Sequence, residues 1–272
     1  MLKTATEIIS ESFQLYVKNW RKFVPFVLIL FIPYLVLSSL GTIFLYLEVL
    51  FPASSLSTNI IIIILLLASG FLGIWTSIGL TKTIYFTLTD QPTNWKTDFY
   101  SSKSLILSNI VALALVFLII AGPSILLSII GVKFGIWWLI FIGLFWLIFP
   151  GIILTVWYNF VYYTNVLENK RNISSLNSSK ALVIGRWWAI TWRLVAPWFI
   201  FSIIGIPLSI GTSIIIGLLP LPVFLVATLS SLIATLLSCI TLPLFTSANV
   251  ILYKSAKENT IEPTLPPTPP KI

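Results

Sequence analysis

Phe149-Pro150-Gly151-Ile152 lies inside a long apolar run that continues to Tyr162, gives way to polar residues after Glu168, and resumes at Gly185-Arg186-Trp187-Trp188. Proline removes a helix hydrogen bond and glycine loosens the backbone, so this pair predicts a kinked or unwound turn within a membrane helix. The polar run from Asn169 to Asn177 is then a turn in water. A helix around 176–184 follows, with Gly185 at the natural C-cap position. The tryptophan pair marks re-entry into the bilayer, because indole rings favour the head-group level.

The whole chain has the same character. Of its 272 residues 58% are hydrophobic and 9% charged, and its mean hydropathy is +1.03. Such values belong to integral membrane proteins. A hydrocarbon core of roughly 30 Å needs about 20 apolar residues as helix. Six stretches meet that length, at about 23–47, 59–81, 104–130, 134–161, 189–216 and 223–250. The expected fold class is an all-α integral membrane protein, with residues 1–258 as one six-span membrane domain.

A net charge of +8 raises the question of nucleic acid, and the distribution of the charge answers it. Fifteen of the sixteen Lys and Arg precede the first span, fall in every second connection or follow the last span; only Lys133 lies on the other side. That asymmetry places both termini in the cytoplasm. The basic residues therefore point to anionic lipid head groups rather than to nucleic acid.

Around the central stretch the chain reads as follows. Residues 4–20 carry Ile8, Ile9, Phe13, Tyr16, Val17 and Trp20 at helical spacing, which predicts an amphipathic helix lying in the head-group plane near Lys18, Arg21 and Lys22. Ser69, Gly73, Ser77 and Thr81 form a stripe of small residues that lets another helix approach, and Ser230, Ala234 and Ser238 repeat it in the last span. Asp90 to Asn94 is a turn, after which Trp95 and Phe99 open a second interfacial segment. A break is expected at Gly122-Pro123-Ser124 and a tight loop at Gly131-Val132-Lys133, with Trp137 and Trp138 at the outer interface. Aligning Trp20 with Trp187 also sets Ser12 against Ser179, Leu15 against Leu182 and Val17 against Ile184. With Trp95 this suggests three units, each a short cytoplasmic interfacial helix followed by a two-span hairpin. Five prolines between 263 and 270 make 259–272 an extended, disordered cytoplasmic tail.

At Phe149-Pro150-Gly151-Ile152, Val166-Leu167-Glu168, Leu182-Val183-Ile184-Gly185 and Arg186-Trp187-Trp188 the sequence resembles a bacterial family of multi-span proteins. The family is named after the membrane domain fused to some glycerophosphodiester phosphodiesterases, and many members are free-standing. The resemblance implies a bacterial plasma (inner) membrane location and makes Pro150, Gly151, Glu168, Gly185, Arg186, Trp187 and Trp188 the candidate functional surface. It implies no catalysis here, because the barrel that does the chemistry in fused members needs about 250 residues of its own.

Enzyme chemistry also lacks its residues. There is no histidine, and Cys239 is the single cysteine, in an apolar stretch. The eight carboxylates are scattered singly, so no catalytic site, metal site or cofactor is expected. Two functional readings remain. The leading one is a non-catalytic membrane bundle that scaffolds, anchors or modulates envelope or lipid-related components, with a membrane or cytoplasmic protein as partner. The alternative is a small transporter or lipid-handling protein that uses helix breaks at Pro150-Gly151 and Gly122-Pro123. A polar cavity holding Thr155, Asn159 or Ser124 would distinguish the second from the first.

Overall fold

The computed structural model describes residues 2–50 and 55–259, and every regular element among them is helical. In chain order these are α1 (Ala5–Leu50), α2 (Ser55–Leu88), α3 (Trp95–Ser101), a 3-10 turn (Ser102–Leu105), α4 (Ile106–Phe134), α5 (Trp137–Tyr158), α6 (Val161–Glu168), α7 (Ile173–Val183), α8 (Trp187–Gly217) and α9 (Val223–Glu258). Among the described residues, six helical segments are long and apolar enough to cross a membrane. The proline-rich stretch 260–272 lies outside the described residues.

The helices expected to break at their prolines do not. Pro123 lies inside α4 and Pro150 inside α5, and both helices run on through them. The interruption comes nine residues after Pro150, at Asn159-Phe160, and a side chain from elsewhere accounts for it. The Ser179 hydroxyl donates to the Trp157 carbonyl at 2.7 Å and accepts from the Phe160 amide at 3.1 Å. It thus satisfies two backbone groups that a continuing helix would have paired. The outer loop is also displaced, from 131–133 to Gly135-Ile136. Gly135 has φ +69°, and the Ile136 amide donates to the Gly131 carbonyl at 2.8 Å, which closes the end of α4. The turns at Asp90 and Asn169 and the cap at Gly185 fall where the sequence puts them, all with positive φ.

The start of α1 packs along another helix. Its backbone breaks at Asn19 (φ −120°, ψ 18°), whose side chain takes the Leu15 carbonyl at 3.1 Å. Before that break the chain runs antiparallel along α9: the Lys3 amide donates to Ser255 Oγ at 2.9 Å, and the Tyr16 hydroxyl donates to the Ile240 carbonyl at 3.1 Å. The amphipathic face therefore packs on protein through Ile8 and Ser12, while Phe13, Val17 and Trp20 stay exposed.

The core sits at the end of the bundle that carries the N-terminus and the end of α9. Ile8, Phe23, Phe26, Leu80, Ile84, Phe99, Phe160, Tyr163, Val183, Ile190 and Tyr253 are buried there in one cluster. Farther along, Leu67, Leu118, Phe141, Ile204 and Val223 are exposed. Exposed apolar side chains on this scale require hydrocarbon as solvent. At 1.5 Å per residue α9 is about 54 Å long, well beyond a hydrocarbon core of roughly 30 Å.

Candidate functional site

Of the sequence-named residues, Glu168 and Arg186 meet the same target, the final turns of α9. Glu168 closes α6, where Asn169 (φ +54°) turns the chain. Its carboxylate receives the Tyr253 hydroxyl at 2.5 Å, Lys257 Nζ at 2.7 Å and Lys170 Nζ at 2.8 Å. Tyr253 and Lys257 are four residues apart and so share a face of α9. Arg186 follows the left-handed Gly185 (φ +78°). Its guanidinium donates to the carbonyls of Leu182 at 2.8 Å, Asn259 at 2.9 Å and Ala256 at 3.3 Å. One cation thereby caps the C-terminal ends of α7 and α9, where the helix dipoles are negative. Burial pulls the Arg186 guanidinium below its ordinary pKa. Arg193 acts similarly at the other terminus, donating from Nε to the Lys3 carbonyl at 2.5 Å.

A cavity of about 590 Å³ adjoins this junction, lined by Thr164, Glu168, Lys170, Ser178, Leu182 and Lys257 among others. Of its two carboxylates, Glu168 is already paired with both lining lysines and Glu258 lies 3.9 Å from Lys254. The geometry is that of a clamp tying α6, α7 and α9 together.

Pro150 and Gly151 are not part of this clamp. Gly151 is buried, and a Cβ there would meet only ordinary contacts, Trp146 O at 3.4 Å and Ile120 Cγ2 at 3.7 Å. The Trp187 indole donates to the Ile153 carbonyl at 3.3 Å and meets Trp188 edge to face at 4.6 Å; Trp188 is 79% exposed. Ser124 lies in helix packing rather than in a cavity: α4 and α5 approach so closely that a Cβ on Gly143 would stand 2.9 Å from the Ser124 carbonyl oxygen. In α2 a close approach is made at Gly79, against Phe26 and the Phe99 backbone, while among the described residues nothing lies within 4 Å of a Cβ built on Gly73.

Thr155 and Asn159, by contrast, do line a cavity. An open cleft of about 300 Å³ between α5, α8 and α9 is walled by Thr155, Asn159, Thr191, Val195, Trp198 and Asn249, with Leu194, Pro197, Phe245 and others completing it. The Thr155 and Thr191 hydroxyls donate to their own helices, at 2.8 Å to Gly151 O and 2.8 Å to Trp187 O. Each hydroxyl oxygen keeps acceptor capacity toward the cleft. Asn159 Nδ2 is buried and has no hydrogen-bond partner. An unpaired buried donor costs about 1–3 kcal/mol, which a turn of the Asn159 side chain onto a ligand acceptor in the cleft would relieve. On the other side of Phe245 an apolar groove of about 660 Å³ runs between α1, α8 and α9 and takes in Ala234 and Ser238 of the last small-residue stripe.

Tyr253, Lys257, Thr191 and Asn249 escape a reading of motifs. Only the four-residue spacing of Tyr253 and Lys257 could have signalled a shared acceptor. Among the described residues no three His, Cys, Asp or Glu side chains gather closely enough to hold a metal ion. Comparisons with protein-family models, with curated proteins and with solved structures give no match.

Proposed function

We propose that this chain is a non-catalytic, multi-pass membrane protein that binds a membrane lipid in the cleft between α5, α8 and α9. The supporting observation is the unpartnered Asn159 amide in an open cleft that also holds Thr155, Thr191 and Asn249. A lipid ester or phosphate oxygen is the acceptor that this amide lacks, and Val195, Trp198 and Phe245 offer an apolar wall for a chain. A polar cavity with Thr155 and Asn159 is the feature that favours lipid handling over pure scaffolding, although without the proline breaks.

The proposal includes an orientation. With both termini in the cytoplasm of the bacterial inner membrane, residues 155–159, 191–198 and 245–249 all lie near the cytoplasmic ends of their spans. That is the depth of lipid glycerol and head groups. It also includes the finer architecture of three hairpins, α1 with α2, α4 with α5 and α8 with α9, each preceded by a short helix. Two observations support it: each of these pairs packs together, and two of the four aligned pairs share their environment. Ser12 and Ser179 are both fully buried, while Val17 and Ile184 are 54% and 57% exposed. On this proposal the chain is a relative of the phosphodiesterase membrane-domain family. A second, scaffolding role rests on the exposed Trp188 and Trp192, which offer a face to a protein partner.

Thermal melting of the purified full chain with added phospholipid tests the proposal. The wild type is expected to gain several degrees, as binding to the folded state requires, and Asn159→Leu to lose most of that gain. An equal gain in both proteins, or none in either, would count against the cleft.

A further inference from the structure

A second polar pocket lies away from the cleft, where the chain just past the α1 break meets the turn before α3. It has a volume of about 390 Å³ and is lined by Arg21, Lys22, Thr93, Asn94, Trp95 and Lys96. Three cations from two distant segments thus surround one space. None of the three forms an ion pair among the described residues. No carboxylate lines the pocket either. The nearest acids in the sequence are engaged elsewhere or point to water: Asp98 is buried and accepts from the Thr83 hydroxyl at 2.8 Å, and Asp90 is exposed in the preceding turn.

The rest of the wall fits a phosphate at a membrane surface. Thr93 Oγ1 is buried without a hydrogen-bond partner. It supplies a hydroxyl donor that needs an acceptor. Arg21 lies 5.9 Å over the Trp20 ring and Lys96 5.7 Å over the Trp95 ring. Indoles of this kind mark the head-group layer and hold the cationic groups beside it. Arginine offers a forked donor for phosphate oxygens, and each lysine a point charge.

We propose that this pocket binds the phosphate of an anionic phospholipid. The site rests on the membrane reading of the chain but not on the cleft, whose residues it does not share. The test measures binding of phosphatidylglycerol and phosphatidylcholine to the full chain in detergent by native mass spectrometry, with inorganic phosphate as a separate arm. Wild type is expected to prefer phosphatidylglycerol. The triple variant Arg21→Gln, Lys22→Gln, Lys96→Gln should lose that preference by about tenfold or more, since each basic residue near an anionic surface adds appreciably to binding. Thr93→Val, which changes no charge, should lose part of it. A control triple, Lys103→Gln, Lys133→Gln, Arg171→Gln, removes the same charge elsewhere and should keep it. All these variants are chosen at exposed or half-buried positions and should melt like wild type without lipid.

The proposal is overturned if the control triple loses as much as the pocket triple, which would mean diffuse charge. It is equally overturned if inorganic phosphate competes as well as the lipid, which would mean a soluble anion site. Asn159→Leu separates this site from the cleft, because it should leave the phosphatidylglycerol preference intact.

Discussion

At the scale of single residues, the polar side chains at the buried end mostly hold backbone ends and one another. Glu168 collects a phenol and two ammonium groups, and Arg186 collects three carbonyls. Glu168→Gln should therefore lower stability by about 1–3 kcal/mol, and Tyr253→Phe by about 1 kcal/mol, both read as a drop in melting temperature. The double variant should cost less than the sum, because the two groups share one hydrogen bond. Ser179→Ala should cost a similar 1–3 kcal/mol, roughly, since it strands the Trp157 carbonyl and the Phe160 amide. Full additivity would refute the clamp, and no change on losing Ser179 would refute its role at the end of α5. Glu168 and Arg186 were legible in the sequence as residues worth attention, but their partners were not. Local patterns do not reveal which helix end a side chain 70 or more residues away will reach.

At the scale of elements, the long apolar helices, the turns at Asp90 and Asn169 and the cap at Gly185 follow from composition and turn chemistry. The break expected at Gly122-Pro123 is absent, and α5 does not unwind at Pro150-Gly151. A proline costs a helix one hydrogen bond and a local clash, and neighbouring groups in a packed membrane helix can absorb both. The true interruption, at Asn159, depends on Ser179 arriving from α7, which is tertiary information. Of the small-residue stripe in α2, Thr81 is fully buried beside Tyr162, and among the described residues the close backbone approach to this helix is at Gly79. A substitution pair checks this scale. Gly143→Val should push α4 off α5, because its Cβ meets the Ser124 carbonyl at 2.9 Å, a backbone atom that cannot swing away. A loss of about 1–3 kcal/mol is expected, as for overpacking elsewhere. Gly151→Ala, with only ordinary contacts, should melt within a degree or two of wild type.

At the scale of the whole molecule, the packing is polarised. One end has a protein core built from α1, α2, α3, α5, α6, α7, α8 and α9, and the helices leave it as apolar, outward-facing rods. The number of spans was readable because the hydrocarbon thickness fixes their length. The core was not readable, because residues facing lipid and residues facing protein are equally apolar. The orientation can be checked by single-cysteine labelling in a Cys239→Ala background. Lys103→Cys should react from the cytoplasmic side and Lys133→Cys from the opposite side.

The central claim is that a lipid occupies the cleft around Asn159, and photo-crosslinking in native membranes tests it most directly. Cells are fed a photoactivatable phospholipid, the full chain is purified, and cross-linked peptides are mapped by mass spectrometry. Adducts should concentrate at 155–159, 191–198 and 245–249, and Asn159→Leu should reduce them at all three. Adducts spread evenly along the exposed faces of α4, α5 and α8, unchanged by Asn159→Leu, would contradict the account.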